Sequence, residues 1–159
     1  MKQEEKEFLD QIDLHQNIVH KVCRMYTNNK DDHDDLFQEI LLQLWQAYPR
    51  FKGNSKLTTW MYRVALYTAI SRNKKKQRLV SESIDSKAYE YYENHDPYRY
   101  ENLRMAISTL SETDKALVML YLEEKPYKEI ADIMGLTETN VGVRLNRVKK
   151  KLKEILVIR

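Results

Sequence analysis

The residues best suited to chemistry lie near the carboxyl end of the chain, where amide and guanidinium side chains recur at helical spacing. Asn140, Asn146 and Arg147 share one outward side of a helix that begins after Thr137. Asparagine and arginine form bidentate hydrogen bonds with the edges of bases, and Val143 offers an apolar contact for a thymine methyl group. The spacing predicts that this helix reads a base sequence.

Basic residues in the same segment are suited to binding the phosphates of DNA. Residues 144–159 contain seven basic residues against one acidic residue, Glu154. Contacts from lysine and arginine to phosphate position a protein on DNA without reading its sequence, and this role is expected here for Arg144, Lys149, Lys150 and Lys151. The predicted DNA-contacting set of the segment is Thr139, Asn140, Val143, Arg144, Asn146, Arg147 and Lys150.

The elements that must position these residues describe a helix-turn-helix. A short helix over 127–134 is followed by a turn at Gly135 and by a second helix with Thr137 as its N-cap. Gly135 supplies the left-handed backbone that the turn requires, and Ala131 is small where the two helices approach. Such a unit lays its second helix in the major groove. The alternative is an ordinary helical hairpin with a solvated basic face.

Composition narrows the class of protein. The chain has 159 residues, of which 42% are hydrophobic and 32% charged, with only 3 glycines and 3 prolines. Few turn formers favour an all-α fold over a β-sandwich. A single cysteine, Cys23, forbids an internal disulfide and fits a reducing compartment. With no signal peptide and no membrane span in the sequence, a cytoplasmic location is expected.

Charge is strongly segregated along the chain. Residues 1–40 carry 10 acidic against 5 basic residues, whereas residues 41–80 carry 9 basic residues and no acidic one. A second basic region follows at 144–159. Two basic regions separated by an acidic segment suggest two contacts with a polyanion, and such binding weakens steeply with salt. The alternative is that both regions are solvated helix faces.

The pattern of apolar residues divides the chain into two small helical domains. Three helices, starting near Glu5, Asp32 and Leu57, form a predicted domain over residues 5–78. Four more form a helix-turn-helix domain over residues 98–159. The acidic residues 79–97 between them lack periodicity and are predicted to be a flexible linker. On the third helix, the predicted core side consists of Leu57, Trp60, Met61, Val64 and Ala65.

Catalytic and metal sites find little support in the sequence. The aspartates within 31–35 lack the alternating spacing, the glycine and the final glutamate of a calcium loop, and acidic residues at a helix start explain them. The four histidines have no metal-ligand spacing. No serine, histidine or cysteine arrangement suits nucleophilic catalysis. We therefore expect no enzymatic activity, no metal and no cofactor.

Four motifs resemble those of one known family. They are DDLFQE at 34–39, TWMYRVA at 59–65, LSETD at 110–114 and YKEIA at 127–131. In order and spacing they are similar to the core-binding motif, the T-W-L-Y-R-I-A signature and the C-terminal domain motifs of sigma-70-type sigma factors of the extracytoplasmic-function (ECF) group. The resemblance covers nearly the whole chain. It implies a region 2-like bundle of three or four helices and a region 4-like helix-turn-helix domain.

The resemblance implies that the second helix binds RNA polymerase. In the family this helix contacts the clamp helices of the large subunits, and the flap of the large subunits is a further implied contact. An acidic, amphipathic helix suits a basic coiled coil. The implied contact residues are Asp34, Asp35, Gln38, Glu39, Leu42 and Trp45. The alternative is that Leu42 and Trp45 belong to the core, since exposed apolar positions need a reason.

The resemblance also implies that the acid-free stretch contacts the −10 element of a promoter and that the C-terminal domain contacts the −35 element. A flipped base of the non-template strand would enter the loop 51–57, and the third helix would meet the duplex upstream. Trp60 is expected in the core. The implied −10 residues are Phe51, Lys52, Asn54, Arg63, Tyr67, Arg72 and Lys74.

Two positions depart from the family pattern. Many relatives carry asparagine where Tyr67 stands and a basic residue where Gly142 stands. Glycine inside a helix costs about 1 kcal/mol of helix propensity. Both departures bear on which promoter sequence is read.

The expected function is a transcription initiation factor that binds core RNA polymerase and promoter DNA and assists promoter melting, with an anti-sigma factor as a further partner. The alternative is a stand-alone helix-turn-helix repressor. A repressor of that type usually dimerises on a palindrome, and no spare dimerisation helix is apparent. A third class, a single-strand RNA chaperone, would have no promoter preference.

Overall fold

In the computed structural model, which describes residues 2–80 and 97–158, every regular element is a helix. The all-α prediction is confirmed for those residues. The chain divides into two compact units, Met1–Tyr92 and Glu93–Arg159. Each unit has its own helices and its own core, so each is described by itself.

The described residues of the first unit, 2–80, form three long helices. They are α1 (Gln3–Tyr26), α2 (Lys30–Ala47) and α3 (Leu57–Val80), with a single 3-10 turn, Tyr48–Arg50, after α2. The last of them continues two residues beyond the predicted boundary at residue 78. Residues 81–96 of the predicted linker, with their acidic side chains, lie outside the described residues, and its last predicted residue, Pro97, begins the first helix of the second unit.

The core of the first unit lies between the three helices. On α3 its buried residues are centred on Tyr62, Leu66 and Ala69, at the three- and four-residue spacing of one helix face. The predicted core side of α3 was therefore partly wrong, because Leu57, Trp60 and Val64 are only half-buried. The buried apolar residues of α1 and α2 are Phe8, Ile18, Val19, Val22, Cys23, Tyr26, Leu36, Ile40 and Leu44.

A capping interaction sets the start of α2. Asn29 has an extended backbone, and its Oδ1 accepts a hydrogen bond from the main-chain N–H of Asp32 at 2.8 Å. This satisfies one of the free donors of the first turn. Acidic residues in that turn also interact favourably with the positive end of the helix dipole. The local sequence therefore begins the helix that carries the acidic surface described below.

Cys23 lies in the core of the first unit without solvent exposure. Burial raises the pKa of its thiol to about 12, despite the opposing charges of Arg72 and Arg24. Because the thiolate is the reactive form, we expect native protein to resist the thiol reagent DTNB at about pH 8, whereas guanidinium-unfolded protein should release one equivalent. Rapid reaction of the native protein would contradict this packing of α1.

In the second unit, residues 97–158 form four helices. They are α4 (Pro97–Ser108), α5 (Glu112–Leu122), α6 (Tyr127–Met134) and α7 (Glu138–Ile158). The predicted N-caps are confirmed. The Ser111 hydroxyl accepts from the N–H of Asp114 at 3.2 Å, and the Thr137 hydroxyl accepts from the N–H of Asn140 at 3.1 Å. The described core consists of residues 106, 107, 110, 116–120, 130, 131, 133, 141, 145 and 148.

Candidate functional site

A mixed acidic and apolar surface runs along α2. It comprises the six residues that the sequence predicts for polymerase binding, and all six are exposed. Leu42 is 52% exposed, so the alternative that it belongs to the core is wrong. Trp45 is 38% exposed, with one edge packed against Phe8 at a ring-centroid distance of 5.0 Å. We call this set, residues 34, 35, 38, 39, 42 and 45, the α2 surface.

Arg72 of α3 lies against the α2 surface. Its guanidinium nitrogens are 4.0 Å from an Asp35 carboxylate oxygen and 3.8 Å from a Glu39 carboxylate oxygen. Nη1 also donates to the main-chain oxygen of Asp32 at 3.4 Å. The arginine side chain is only 15% exposed. Arg72, predicted as a DNA contact, is thus engaged with α2 in this structure.

Two neighbouring side chains extend this junction. Lys76 Nζ lies 3.4 Å from the Asp32 carboxylate. The Asn73 amide donates to the main-chain oxygen of Tyr26 at 3.4 Å, near the end of α1. The carboxyl-terminal part of α3 is therefore tied to both other helices. Exposed ion pairs contribute little stability individually, but together these contacts fix the α2 surface relative to the exposed side of α3.

The loop before α3 presents the second group of predicted residues. Lys52 and Asn54 are exposed. Phe51 is half-buried, and its ring centroid lies 5.1 Å from that of Trp60. Trp60 also lies 6.1 Å from the ring of Tyr48. The expectation of a core Trp60 is wrong, because this side chain sits at the edge of the core and supports the Phe51 ring.

One exposed side of α3 is basic and aromatic. Arg63, Tyr67 and Lys74 are all exposed, and Tyr67 reaches 75%. Arg63 and Tyr67 are four residues apart, so they are neighbours on the helix surface. The structure therefore brings three of the predicted −10 residues to one side of α3, which faces away from the junction that holds Arg72.

The second unit contains the predicted helix-turn-helix, and this prediction is confirmed. Gly135 ends α6 in the left-handed conformation with φ of 69°. Ile130 and Ala131 of α6 and Val141 and Leu145 of α7 are buried. Because these four side chains form part of one core, the two helices have a fixed relation and the outward side of α7 is defined.

The predicted base- and phosphate-contacting residues share the outward side of α7. Val143 is 51% exposed although it is apolar. Arg144 is half-buried. The exposed polar members are Thr139, Asn140, Asn146, Arg147 and Lys150. An exposed apolar residue among amide and basic side chains is the mixture that base-edge recognition uses.

A pair of histidines joins α1 to α2 beside the acidic surface. His20 Nδ1 and His33 Nε2 are 3.0 Å apart, and the His20 ring stacks on Phe37 at 4.5 Å. Burial lowers the pKa of both imidazoles, and the charge of Arg24 lowers it further, while Asp34 opposes the change. Only one of the two facing nitrogens can carry a hydrogen in this bond.

This pair predicts a pH-dependent stability. Since the folded pKa of each histidine is below the ordinary value of 6.5, the unfolded chain binds more protons, and stability falls as pH drops below that value. We expect the melting temperature to fall more between about pH 7.5 and about pH 5.5 for the wild type than for His33→Gln. Parallel decreases in the two proteins would contradict this prediction.

Neither a metal cluster nor a membrane span is present in the described parts of the chain. Within them, no three or more histidine, cysteine, aspartate or glutamate side chains come together as metal ligands. Among the helices described, none is both long and apolar enough to cross a membrane.

Comparison with known proteins identifies the class. The Sigma-70 region 2 family matches residues 12–79 and the Sigma-70 region 4 family matches residues 100–152. The chain therefore belongs to the sigma-70 family of RNA polymerase sigma factors. Within that family it is an ECF sigma factor, and the matches favour a polymerase-associated factor over a stand-alone repressor.

Full-length relatives are similar over most of both chains. ECF RNA polymerase sigma factor SigM of Bacillus subtilis is 25% identical, covering 92% of this chain and 94% of the relative. RNA polymerase sigma factor SigV of the same organism is 26% identical, covering 87% of this chain and 84% of the relative. In a co-crystal with the anti-sigma factor NepR from Bartonella quintana, sigma factor RpoE shares this fold, with a TM-score of 0.77 at 20% identity over 96% of this chain and 98% of that chain.

Proposed function

We propose that this chain binds core RNA polymerase through the α2 surface and directs it to promoters that its two units read together. The observation that carries the proposal is the exposed apolar Leu42 among the carboxylates of α2. Carboxylates suit a basic partner, and the apolar residues supply the desolvated centre that a stable interface requires. Polymerase would cover a surface that is otherwise costly to leave in water.

The first unit would contact the −10 element through its loop and the exposed side of α3. Phe51, supported by Trp60, offers a ring on which an unstacked base can pack, and Lys52 and Asn54 flank it. Base–aromatic stacking contributes about 1–3 kcal/mol per base, enough to favour one flipped base during melting. Arg63, Tyr67 and Lys74 form the remaining contact set. Arg72 is proposed to position α2 relative to this DNA-contacting side.

The second unit would contact the −35 element through α7. Asn146 and Arg147 supply bidentate hydrogen bonds to base edges, and Val143 packs against a thymine methyl group. Lys150 and Arg144 anchor phosphates. Neither unit needs to bind tightly alone, because attachment to one chain makes the second contact intramolecular.

Further parts of the proposal follow from this mode of action. The chain would have no catalytic activity of its own and would act in the cytoplasm, where polymerase initiates transcription. An anti-sigma factor is proposed as a regulator, supported by solved structures of similar fold, in which sigma factor RpoE is in complex with the anti-sigma factor NepR and CnrH is in complex with the cytosolic domain of CnrY. Such a regulator would cover the α2 surface or the outward side of α7.

Start-site mapping tests the proposal. After overproduction of the chain, the induced transcription start sites should share two sequence elements upstream at a fixed spacing. Overproduction of Arg147→Ala should lose this set, while a variant at the exposed Leu14 of α1 should keep it. Induced start sites without any shared upstream element would contradict the proposal.

A further inference from the structure

Lys149 of α7 lies over the ring of a tyrosine from another helix. Its Nζ lies 4.0 Å from the centroid of the Tyr121 ring, at the end of α5. The neighbouring Tyr121, and to a smaller degree Tyr127, raises the pKa of the ammonium group. A cation above an aromatic face is attracted by the ring electrons. The lysine is therefore an exposed cation whose position is restricted.

The Tyr127 ring of α6 lies beside Gly142 of α7. A Cβ added at Gly142 would lie 3.5 Å from Cε2 of Tyr127, an ordinary van der Waals distance, so the ring comes close to the backbone of α7. Lys149 lies seven residues further along, which is two turns on the same side of the helix. Tyr127 therefore borders the side of α7 that carries Lys149.

Gly142 and Lys149 lie beside the predicted base-reading residues of α7. Asn146 is four residues from Gly142 and three from Lys149, so all three share one side of α7. Tyr127 is the first residue of α6, and in a helix-turn-helix this helix crosses the DNA backbone. Lys149 is consequently placed at the edge of the outward side of α7, where a phosphate strand would pass.

We propose that Lys149 is a preorganised phosphate contact and that Tyr121 positions it. This inference rests on the proposed promoter binding of the second unit. An ammonium group has three donors, so contact with the Tyr121 ring leaves donors for a phosphate oxygen. A free lysine loses much rotamer freedom when it binds, and a lysine already held loses less. The contact adds affinity without sequence preference.

The salt dependence of binding tests the phosphate contact. The full chain is assembled with core polymerase and titrated with a fluorescent promoter fragment from a mapped start site, at several salt concentrations. Lys149→Met should reduce the slope of log K against log salt by about 0.9, the value for one phosphate. It should weaken binding to the promoter fragment and to a scrambled duplex by the same factor, because a phosphate contact does not depend on the base sequence.

A double-mutant cycle tests the positioning role. Tyr121→Leu should lower affinity about two- to tenfold, the cost of immobilising one flexible side chain, without changing the salt slope. Lys149→Met combined with Tyr121→Leu should bind no more weakly than Lys149→Met alone. The matched control is Lys153, an exposed lysine one turn further along α7, whose replacement by methionine should be additive with Tyr121→Leu. Thermal melting checks that each variant is folded.

The outcomes separate this inference from the function on which it rests. If the wild-type holoenzyme shows no preference for the promoter fragment, the proposed function fails and the inference falls with it. Promoter preference with an unchanged salt slope for Lys149→Met would overturn the phosphate contact alone. Additive effects of the tyrosine and lysine replacements would overturn the positioning role.

Discussion

Replacing Leu42 with arginine is expected to remove the chain from complexes with core RNA polymerase. The wild-type side chain is 52% exposed, so the change buries no charge within the protein. At the interface it would replace an apolar contact with an unpaired cation facing a basic partner. Truncating one central interface residue costs about 2 kcal/mol or more, so we expect affinity to fall by at least about 30-fold. Pull-down and fluorescence titration with purified core enzyme measure this.

Leu14 provides the matched control for this experiment. It is a leucine of α1 that is 72% exposed and lies outside the α2 surface. Leu14→Arg should bind polymerase as the wild type does, and both variants should melt like the wild type. Replacing Asp35 and Glu39 with lysine also tests the surface, but it removes both carboxylates beside Arg72 and so perturbs the junction with α3. Equal binding by Leu42→Arg and Leu14→Arg would contradict the proposed interface.

Replacing Arg147 with alanine is expected to relax promoter selectivity. Loss of a bidentate contact to a base reduces the binding free energy by about 1–3 kcal/mol for the preferred DNA sequence and by little for other sequences. The expected result is a loss of affinity of about 5- to 150-fold for the native −35 element, with scrambled DNA hardly affected. Competition binding of the holoenzyme to the two fragments measures the ratio.

Lys150 is the comparison for Arg147, because it lies on the same side of the same helix and also loses one positive charge when replaced. Because Lys150 is assigned as a phosphate anchor, Lys150→Met should weaken binding to both DNA fragments by the same factor. It should also reduce the slope of log K against log salt by about 0.9. If Arg147→Ala weakened binding to the native and scrambled fragments equally, the assignment of Arg147 as a base-reading residue would be wrong.

Local signals in the sequence were sufficient to predict much of the structure of the second unit. The short helix begins and ends at Tyr127 and Met134, as predicted. The left-handed Gly135 and the Ser111 cap follow from residue type and position alone. These features depend on interactions between residues within four positions of one another, so a single sequence contains the information that they need.

Tertiary contacts were the part that the sequence did not reveal. The resemblance implied a DNA contact for Arg72, whereas contacts with residues at least 33 positions away hold it against α2. Periodicity placed Met61 and Ala65 correctly in the core of α3, but it also placed Leu57, Trp60 and Val64 there, which are only half-buried. The contact of Lys149 with Tyr121 joins α7 to α5 and has no signature in the spacing of either helix.

Run-off transcription with purified components tests the central claim most directly. Core RNA polymerase, the full chain and a template from a mapped start site are combined, and each component is omitted in turn. The account predicts a discrete transcript that requires both proteins and is lost with Leu42→Arg. A chain that bound the template equally well without polymerase, and gave no transcript with it, would contradict the account.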